Sequence, residues 1–357
     1  MTRASSRAVF PPSRSSAPGN GVTRLFRAAD LEHVDDALAL QAMHDAFDAE
    51  AAGRTIVPKR IDTKTARGFL RVMPAVLDDV MGLKVMTLVE GAGTRYVVLL
   101  HAVETGELLA IFDADELTRS RTAAVTALAA RVMVRTPPRS LAIIGTGFEA
   151  EAQLRSVAQI WPDADLVCYS PTRAHREQFA HDATARLGRR VTAAESSADA
   201  IKGSAVVLLA TKSKAPVIEG ASFMPGAVVL SIGATRLDLR ELDRATFARA
   251  GTVVGDDPAQ LESESGDVAD ALKEGTLDRD RIVSIARVRK DPGLLRTDRE
   301  RDLIVLKTVG TALQDLAIAR AVHRAAARGA GLEIGDVARM KPFAAVRAPA
   351  TTTTAGS

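Results

Sequence analysis

Ser140-Leu-Ala-Ile-Ile144 runs without a break into Gly145-Thr146-Gly147-Phe148-Glu149-Ala150, after which apolar residues recur at helical spacing to Ile160. A short Ile/Leu run ahead of a glycine turn reads as a buried strand, so the segment is strand, turn and helix. In that setting Gly-x-Gly-x-x-Ala has a mechanical meaning. Gly145 permits the tight turn, Gly147 admits a pyrophosphate where a Cβ would stand in its way, and Ala150 lets the helix pack close to the strand. Free N–H groups and the dipole at the helix start then favour an anion. Gly145, Thr146, Gly147, Phe148, Glu149 and Ala150 are thus the expected cofactor-binding turn for a nicotinamide dinucleotide.

Downstream, the strand candidates Leu166–Tyr169, Ala205–Ala210, Val228–Ile232 and Thr252–Val254 alternate with helical stretches, which is the pattern of a parallel, doubly wound sheet covered on both faces. The first of them closes on Tyr169-Ser170-Pro171-Thr172-Arg173. A carboxylate at such a strand tip accepts from the ribose 2′-OH of NAD(H); Ser170 stands there instead, with Thr172, Arg173 and Arg176 behind it, so NADP(H) is favoured and NAD(H) remains possible. Cys168, just before the tip, is expected to be a small buried core residue. It is the single cysteine, which excludes an intrachain disulfide and suits a reducing cytoplasm.

Upstream the pattern changes. A helix is expected between Leu31 and Ala52, followed by short strands at Gly68–Met73, Gly82–Val89, Arg95–Ala102 and Leu108–Asp113, punctuated by Pro74, Gly91, Gly93 and the Thr105-Gly106 turn. Sequential short strands imply an antiparallel sheet. Asp115–Met133 then places Leu117, Val125, Leu128 and Val132 on one helix face, and a last helix, Thr311–Arg328, follows the alternating region. Its return to the first part of the chain would make an α+β domain of residues 23–130 with 312–342, interrupted by a cofactor domain at 131–311. Residues 1–22, rich in Ser, Arg and Pro, and the tail 343–357, with its Thr run, are expected to lack fixed structure.

The 357 residues are 46% hydrophobic and 25% charged, and 47 Lys+Arg against 44 Asp+Glu leave a net charge of +3. That near balance, with aromatics at only 4%, argues against a nucleic-acid partner. No stretch reaches the ~18 apolar residues of a membrane span, and the N-terminal residues lack the apolar core of a signal peptide. No spacing of Cys and His suggests a metal. His33, His44, His101, His175, His181 and His323 form no catalytic grouping, and Glu262–Asp267 is expected to be a solvated loop.

Several blocks in order carry a wider likeness: Met73-Pro74, Gly82-Leu83-Lys84, Thr105-Gly106-Glu107-Leu108, Leu117-Thr118-Arg119-Ser120-Arg121-Thr122-Ala123-Ala124, Ile144-Gly145-Thr146-Gly147, Ala210-Thr211, Ser231-Ile232-Gly233-Ala234, Arg240-Glu241-Leu242, Glu264-Ser265-Gly266-Asp267 and Lys307-Thr308-Val309-Gly310. With them the chain resembles the ornithine cyclodeaminase/mu-crystallin family over residues 25–330. The resemblance implies a homodimer formed through the first, substrate-binding domain and a Rossmann domain for NAD(H) or NADP(H). It extends the cofactor set to Arg121, Thr122, Thr211, Ile232, Gly233, Ala234 and Lys307. Arg60 resembles the arginine that holds the substrate carboxylate, Lys84 the active-site lysine, and Arg121 the residue at the substrate–cofactor junction, where it is expected to share the hold on that carboxylate. A guanidinium binds a carboxylate through two parallel hydrogen bonds. A lysine between two fixed cations and partly desolvated has a depressed pKa and becomes useful for acid–base work near neutrality.

Two departures bear on function. Glu149 stands where the family often has Gln. Thr235 stands where cyclodeaminases carry the Asp that activates water, and a Thr hydroxyl has no useful acid–base pKa; Ala234-Thr235-Arg236-x-Asp238-x-Arg240-Glu241-Leu242 looks instead like the ketimine-reductase branch. The expected activity is NAD(P)H-dependent reduction of a small α-imino acid, or the reverse, with Lys84 and Thr235 catalytic. The alternatives are conversion of ornithine to proline by a lyase, and a non-catalytic binder of NADPH and a small ligand.

Overall fold

The computed structural model describes residues 22–31, 34–326, 330–335 and 337. Except for Val22, the stretches expected to lack fixed structure, and His33, lie outside these residues. The chain opens with β1 (Thr23–Phe26), α1 (Ala28–Leu31) and α2 (Asp36–Ala51), then β2 (Thr55–Ile56), β3 (Ile61–Thr65), β4 (Gly68–Leu77), β5 (Val80–Val89), β6 (Gly93–Ala102), β7 (Leu108–Asp113) and α3 (Asp115–Met133). It continues through β8 (Ser140–Ile144), α4 (Phe148–Ala158), β9 (Asp165–Tyr169), α5 (Arg173–Leu187), β10 (Val191–Ala193), α6 (Ser197–Ile201), β11 (Val206–Leu209), β12 (Val228–Ser231) and α7 (Arg244–Arg249). After these come β13 (Ala250–Gly255), α8 (Pro258–Glu264), α9 (Gly266–Lys273), β14 (Ile282–Ser284), α10 (Ile285–Lys290), β15 (Leu303–Lys307), α11 (Ala312–Ala325) and β16 (Leu332–Gly335).

The first sheet runs β16-β1-β7-β6-β5-β4-β2, with β3 also paired to β4. It is antiparallel except for the parallel pair β1–β7. β4 and β5 stay in register from Gly68↔Val89 to Leu77↔Val80, joined by Asp78-Asp79, where Asp78 has φ +52. Aspartate tolerates that left-handed conformation, which the two-residue hairpin demands. Pro74 does not end β4 as expected but lies within it. It stands between Val72, the last residue paired to β3, and Val76, which pairs to β2, so no neighbour on that side calls for its missing N–H.

Side chains alternate across this sheet. Met73, Lys84, Val98 and Phe112 stand opposite one another on the inner face, which is covered by α11 and α3, with α2 packed on those two helices in turn. On the outer face Ile61, Val72, Val85 and Val97 make a row across four strands.

The second sheet is wholly parallel, in the order β10-β9-β8-β11-β12-β15-β13-β14. Chain order reverses between β8 and β11, which is where open α/β sheets bind ligands. Strands β10, β14 and β15 were not foreseen; β15, Leu-Ile-Val-Leu-Lys, is buried throughout and carries no alternation to betray it. Helix α3 packs against α2 and α11 on one side and α4, β12 and β15 on the other, so it belongs to both halves.

Candidate active site

The glycine turn sits at the switch point. Gly145 has φ +107, and a Cβ there would fall 2.4 Å from the Ala210 carbonyl oxygen on the neighbouring strand end. Gly147 starts α4 without a side-chain cap, and a Cβ on it would meet no protein atom within 4 Å. The space above the turn is therefore open and faces uncapped helix N–H groups, a cradle that fits a pyrophosphate. Thr146 Oγ1 donates to Ser170 Oγ at 3.0 Å, tying the turn to the tip of β9. Arg173 is exposed and pairs with Glu177 at 2.7 Å, while Arg176 is buried and reaches Glu195 at 2.6 Å. Cys168 is buried and its thiol is pushed up to about 11, principally by burial.

Lys84 and Arg121 meet on a carboxylate that the sequence did not single out. Lys84 Nζ donates to Thr118 Oγ1 at 2.8 Å and to Asp315 Oδ1 at 3.0 Å, and lies 4.6 Å from the centre of the Tyr96 ring. Arg121 Nε donates to the same Asp315 Oδ1 at 3.0 Å, and its Nη1 to Gln314 Oε1 at 2.8 Å. Strand β5, helix α3 and helix α11 each supply a member, and the Oδ2 of Asp315 is buried with no partner among the described residues. The Lys84 ammonium is held down to about 8: burial dominates and Arg121 adds to it, while Asp315 opposes both. One of the two expected cations is thus beside it. Gly310, at φ +76, leaves room for the guanidinium, since a Cβ there would lie 2.8 Å from Arg121 Nη2.

Arg60, between β2 and β3, takes a different place. It is ion-paired with Glu264 at the end of α8. Both line a cavity of about 780 Å³ that also includes Phe69, Leu88, Thr235 and Leu237. Burial, with Arg71 nearby, lowers the Arg60 pKa to about 10. Lys84, Met86 and Leu88 alternate along the inner face of β5 opposite Met73, Arg71 and Phe69, so the cavity is the outer end of the strip that begins at Lys84. Thr235 is on its wall; Asp238 is bound by Arg236 through two hydrogen bonds of 2.9 and 2.8 Å.

Beneath the ends of β11 and β12 lies a closed polar network. Glu241, fully buried, accepts from Thr211 N at 2.6 Å, Thr211 Oγ1 at 2.9 Å, Ser231 Oγ at 2.7 Å, Gly233 N at 2.9 Å and Ala234 N at 3.2 Å. Lys307 is a buried strand end. It ends β15 at 0% exposure, with Nζ donating to Ser231 Oγ at 2.8 Å and 2.9 Å from Asp267 Oδ2. It also lies 3.6 Å from Glu241, the carboxylate that holds the backbone of the expected cofactor residues Thr211, Gly233 and Ala234, while the Ile232 N–H goes to the Leu209 carbonyl. Glu262–Asp267 is likewise no solvated loop. Glu264 pairs with Arg60, Ser265 caps α9, and Asp267 accepts from the backbone of Glu241 and Leu242 at 2.8 and 3.0 Å. Thr122 donates to the Thr118 carbonyl at 2.6 Å within α3.

Tyr96, Asp315, Glu241 and Lys212, whose Nζ donates to the Gly233 carbonyl at 3.4 Å, join the candidate site without having been marked by the sequence. Asp315 carried a signal, since a carboxylate amid Ala312-Leu-Gln-Asp-Leu-Ala-Ile-Ala319 has to find a buried partner.

A glycine turn at the switch point of a doubly wound sheet, in a chain that also buries a lysine and an arginine on one acid, is the architecture of a dinucleotide-binding protein. The model of the ornithine cyclodeaminase/mu-crystallin family matches residues 25–330, and the chain belongs to that family. It is similar to the ketimine reductase mu-crystallin of Rattus norvegicus, at 31% identity over 280 residues, covering 76% of this chain and 83% of the relative. It is also similar to the Delta(1)-pyrroline-2-carboxylate/Delta(1)-piperideine-2-carboxylate reductase of Azospirillum brasilense, at 32% over 317 residues, covering 86% and 97%. Among solved structures, the Delta(1)-pyrroline-2-carboxylate reductase of Thermococcus litoralis in complex with NADH and L-proline superposes with a TM-score of 0.78 at 26% identity, covering 84% of this chain and 96% of that one. Among the described residues no helix is long and apolar enough to cross a membrane, and no group of His, Cys, Asp and Glu could hold a metal.

Proposed function

We propose that this protein is an oxidoreductase that uses NAD(P)H to reduce the C=N bond of a small α-imino acid to the amino acid, or runs the reverse dehydrogenation. One observation carries this: a buried ammonium poised near 8, Lys84, shares Asp315 with a guanidinium, Arg121, in a fold whose glycine turn is open to a dinucleotide. The bound nicotinamide would supply the hydride. Gly145 to Ala150, Thr122, Thr211 and Ile232 to Ala234 would hold it. Arg121, helped by Arg60 from the cavity side, would fix the substrate carboxylate, and Lys84 would give a proton to the substrate nitrogen. Thr235 would orient substrate or water from the cavity wall, but it offers no carboxylate to activate water, and Asp238 is held by Arg236. That supports a reductase over a cyclodeaminase.

Ser170 at the tip of β9 and the exposed Arg173 beside it support a preference for NADP(H). The apolar outer face of the first sheet supports a homodimer, and the single buried thiol suits a cytoplasmic location. The test follows NADPH and NADH oxidation with cyclic imino acids such as Δ1-pyrroline-2-carboxylate and with 2-oxo acids plus ammonia or methylamine, using Lys84→Ala as control. Turnover lost in Lys84→Ala is expected. Proline formed from L-ornithine with no imine reduced would overturn it, as would tight cofactor binding without any reaction. A preference for NADH that survives Arg173→Ala would remove the NADP(H) assignment.

A further inference from the structure

No role above falls to Glu149 beyond membership of the turn, yet its position is particular. It lies in the first turn of α4, two residues after Gly147, and its Oε2 is buried with no hydrogen-bond partner among the described residues. Arg121, Arg119 and Asp115 from α3 and Lys212 from the loop after β11 act on its carboxyl. Its charge is felt in turn by Lys84 on β5 and by Tyr96 on β6. The cations around it are engaged elsewhere. Arg121 is bound to Asp315 and Gln314, Arg119 to Glu151 and the Phe148 carbonyl, and Lys212 Nζ lies 3.4 Å from the Gly233 carbonyl. On its own helix, Glu151 is turned to Arg119, Arg155 and Arg186.

Glu149 is thus an uncommitted acid between the glycine turn and the Lys84–Arg121–Asp315 cluster. A dinucleotide with its pyrophosphate on that turn and its reactive ring at that cluster would run close to this carboxyl, which stands in the first turn of α4 and is felt by Lys84. We propose that Glu149 sets the relative hold of the protein on oxidised and reduced cofactor, its ionised carboxylate favouring the cationic oxidised ring. The proposal rests on the assignment of the turn to NAD(P)(H).

The oxidised ring carries a positive charge and the reduced ring none. At an effective dielectric constant of ~20, a carboxylate a few ångström away favours the cation by more than tenfold. A neutral carboxyl makes no such distinction. Burial raises the Glu149 pKa, opposed by Arg121, Lys212 and Arg119, so its proton is in play above the usual carboxylate range. The sign follows. The ratio of reduced-form to oxidised-form dissociation constants rises with pH as Glu149 ionises, and binding of the oxidised form releases a proton.

The experiment is an equilibrium titration of the whole protein with NADPH and with NADP⁺, by nucleotide fluorescence and calorimetry, from about pH 5 to about pH 7, where Lys84 keeps most of its charge. In the wild type the ratio is expected to rise about tenfold or more. In Glu149→Gln, which keeps the shape, it stays flat at the wild-type low-pH value. Lys212→Met moves the rise to higher pH, because a cation that favours the carboxylate is gone. A flat wild-type ratio, or a rise undiminished in Glu149→Gln, overturns the proposal while leaving the cofactor assignment standing. Absence of binding by either form at every pH removes that assignment, and the proposal with it.

Discussion

Asp315 Oδ1 receives both Lys84 and Arg121, so one oxygen governs two cations. It holds the lysine pKa up against burial, and its removal lets that pKa fall further. If the Lys84 ammonium donates the proton, imine reduction declines as pH rises through about 8, and Asp315→Asn moves that decline to lower pH. A pH profile of kcat/KM for both proteins checks this; an unshifted profile would separate Lys84 from the proton transfer. Lys84→Ala should lower kcat by about 100-fold or more while nucleotide binding, read by fluorescence, is kept. Lys84 and Arg121 were legible because their neighbours in sequence carry the family pattern. Asp315 was not, since 231 residues separate it from Lys84 and nothing local links them.

At the level of elements, the strand–turn–helix at Ser140–Ala158 was readable because a tight turn, a close approach and a helix start each restrict residue choice locally. Gly145→Ala puts a Cβ against the Ala210 carbonyl at a left-handed φ; it should cost roughly 1–3 kcal/mol of stability and weaken nucleotide binding at least tenfold, measured by urea denaturation and titration. The network under β11 and β12 was not readable. Glu264-Ser-Gly-Asp267 looks like a polar loop in one dimension, and only the fold brings Lys307 and Glu241 to it. Glu241→Ala strips five donors of their buried acceptor and takes from Lys307 one of its two carboxylates, so it should lose about 3–5 kcal/mol in urea denaturation, and Glu241→Gln less. Equal losses would mean that the charge accounts for the whole effect, and an unchanged Glu241→Gln that the charge itself does not matter there.

Across the whole molecule, the doubly wound half was legible from its alternation. The other half was legible as an antiparallel sheet except at its margins, where β3 is polar and β1 joins β7 in parallel across the intervening chain. Along the outer-face row Ile61, Val72, Val85 and Val97, no helix of the described residues packs, Val72 and Val85 are half-buried, and Ile61 is 62% exposed. If a second copy covers it, Val85→Asp should convert a dimer to a monomer in light scattering after size exclusion. A wild-type monomer would place some other partner on that face.

Helix α11 covers β4, β5 and β6 and brings Asp315 to residues far earlier in the chain. During synthesis, then, the first sheet waits with its inner face open and with Lys84 and Arg121 lacking their shared anion until residue 315 has emerged. A polypeptide cut short before α11 would expose apolar surface that chaperones and proteases recognise, and it could not assemble the Lys84–Arg121–Asp315 cluster. Activity and escape from degradation therefore become available to the nascent protein together.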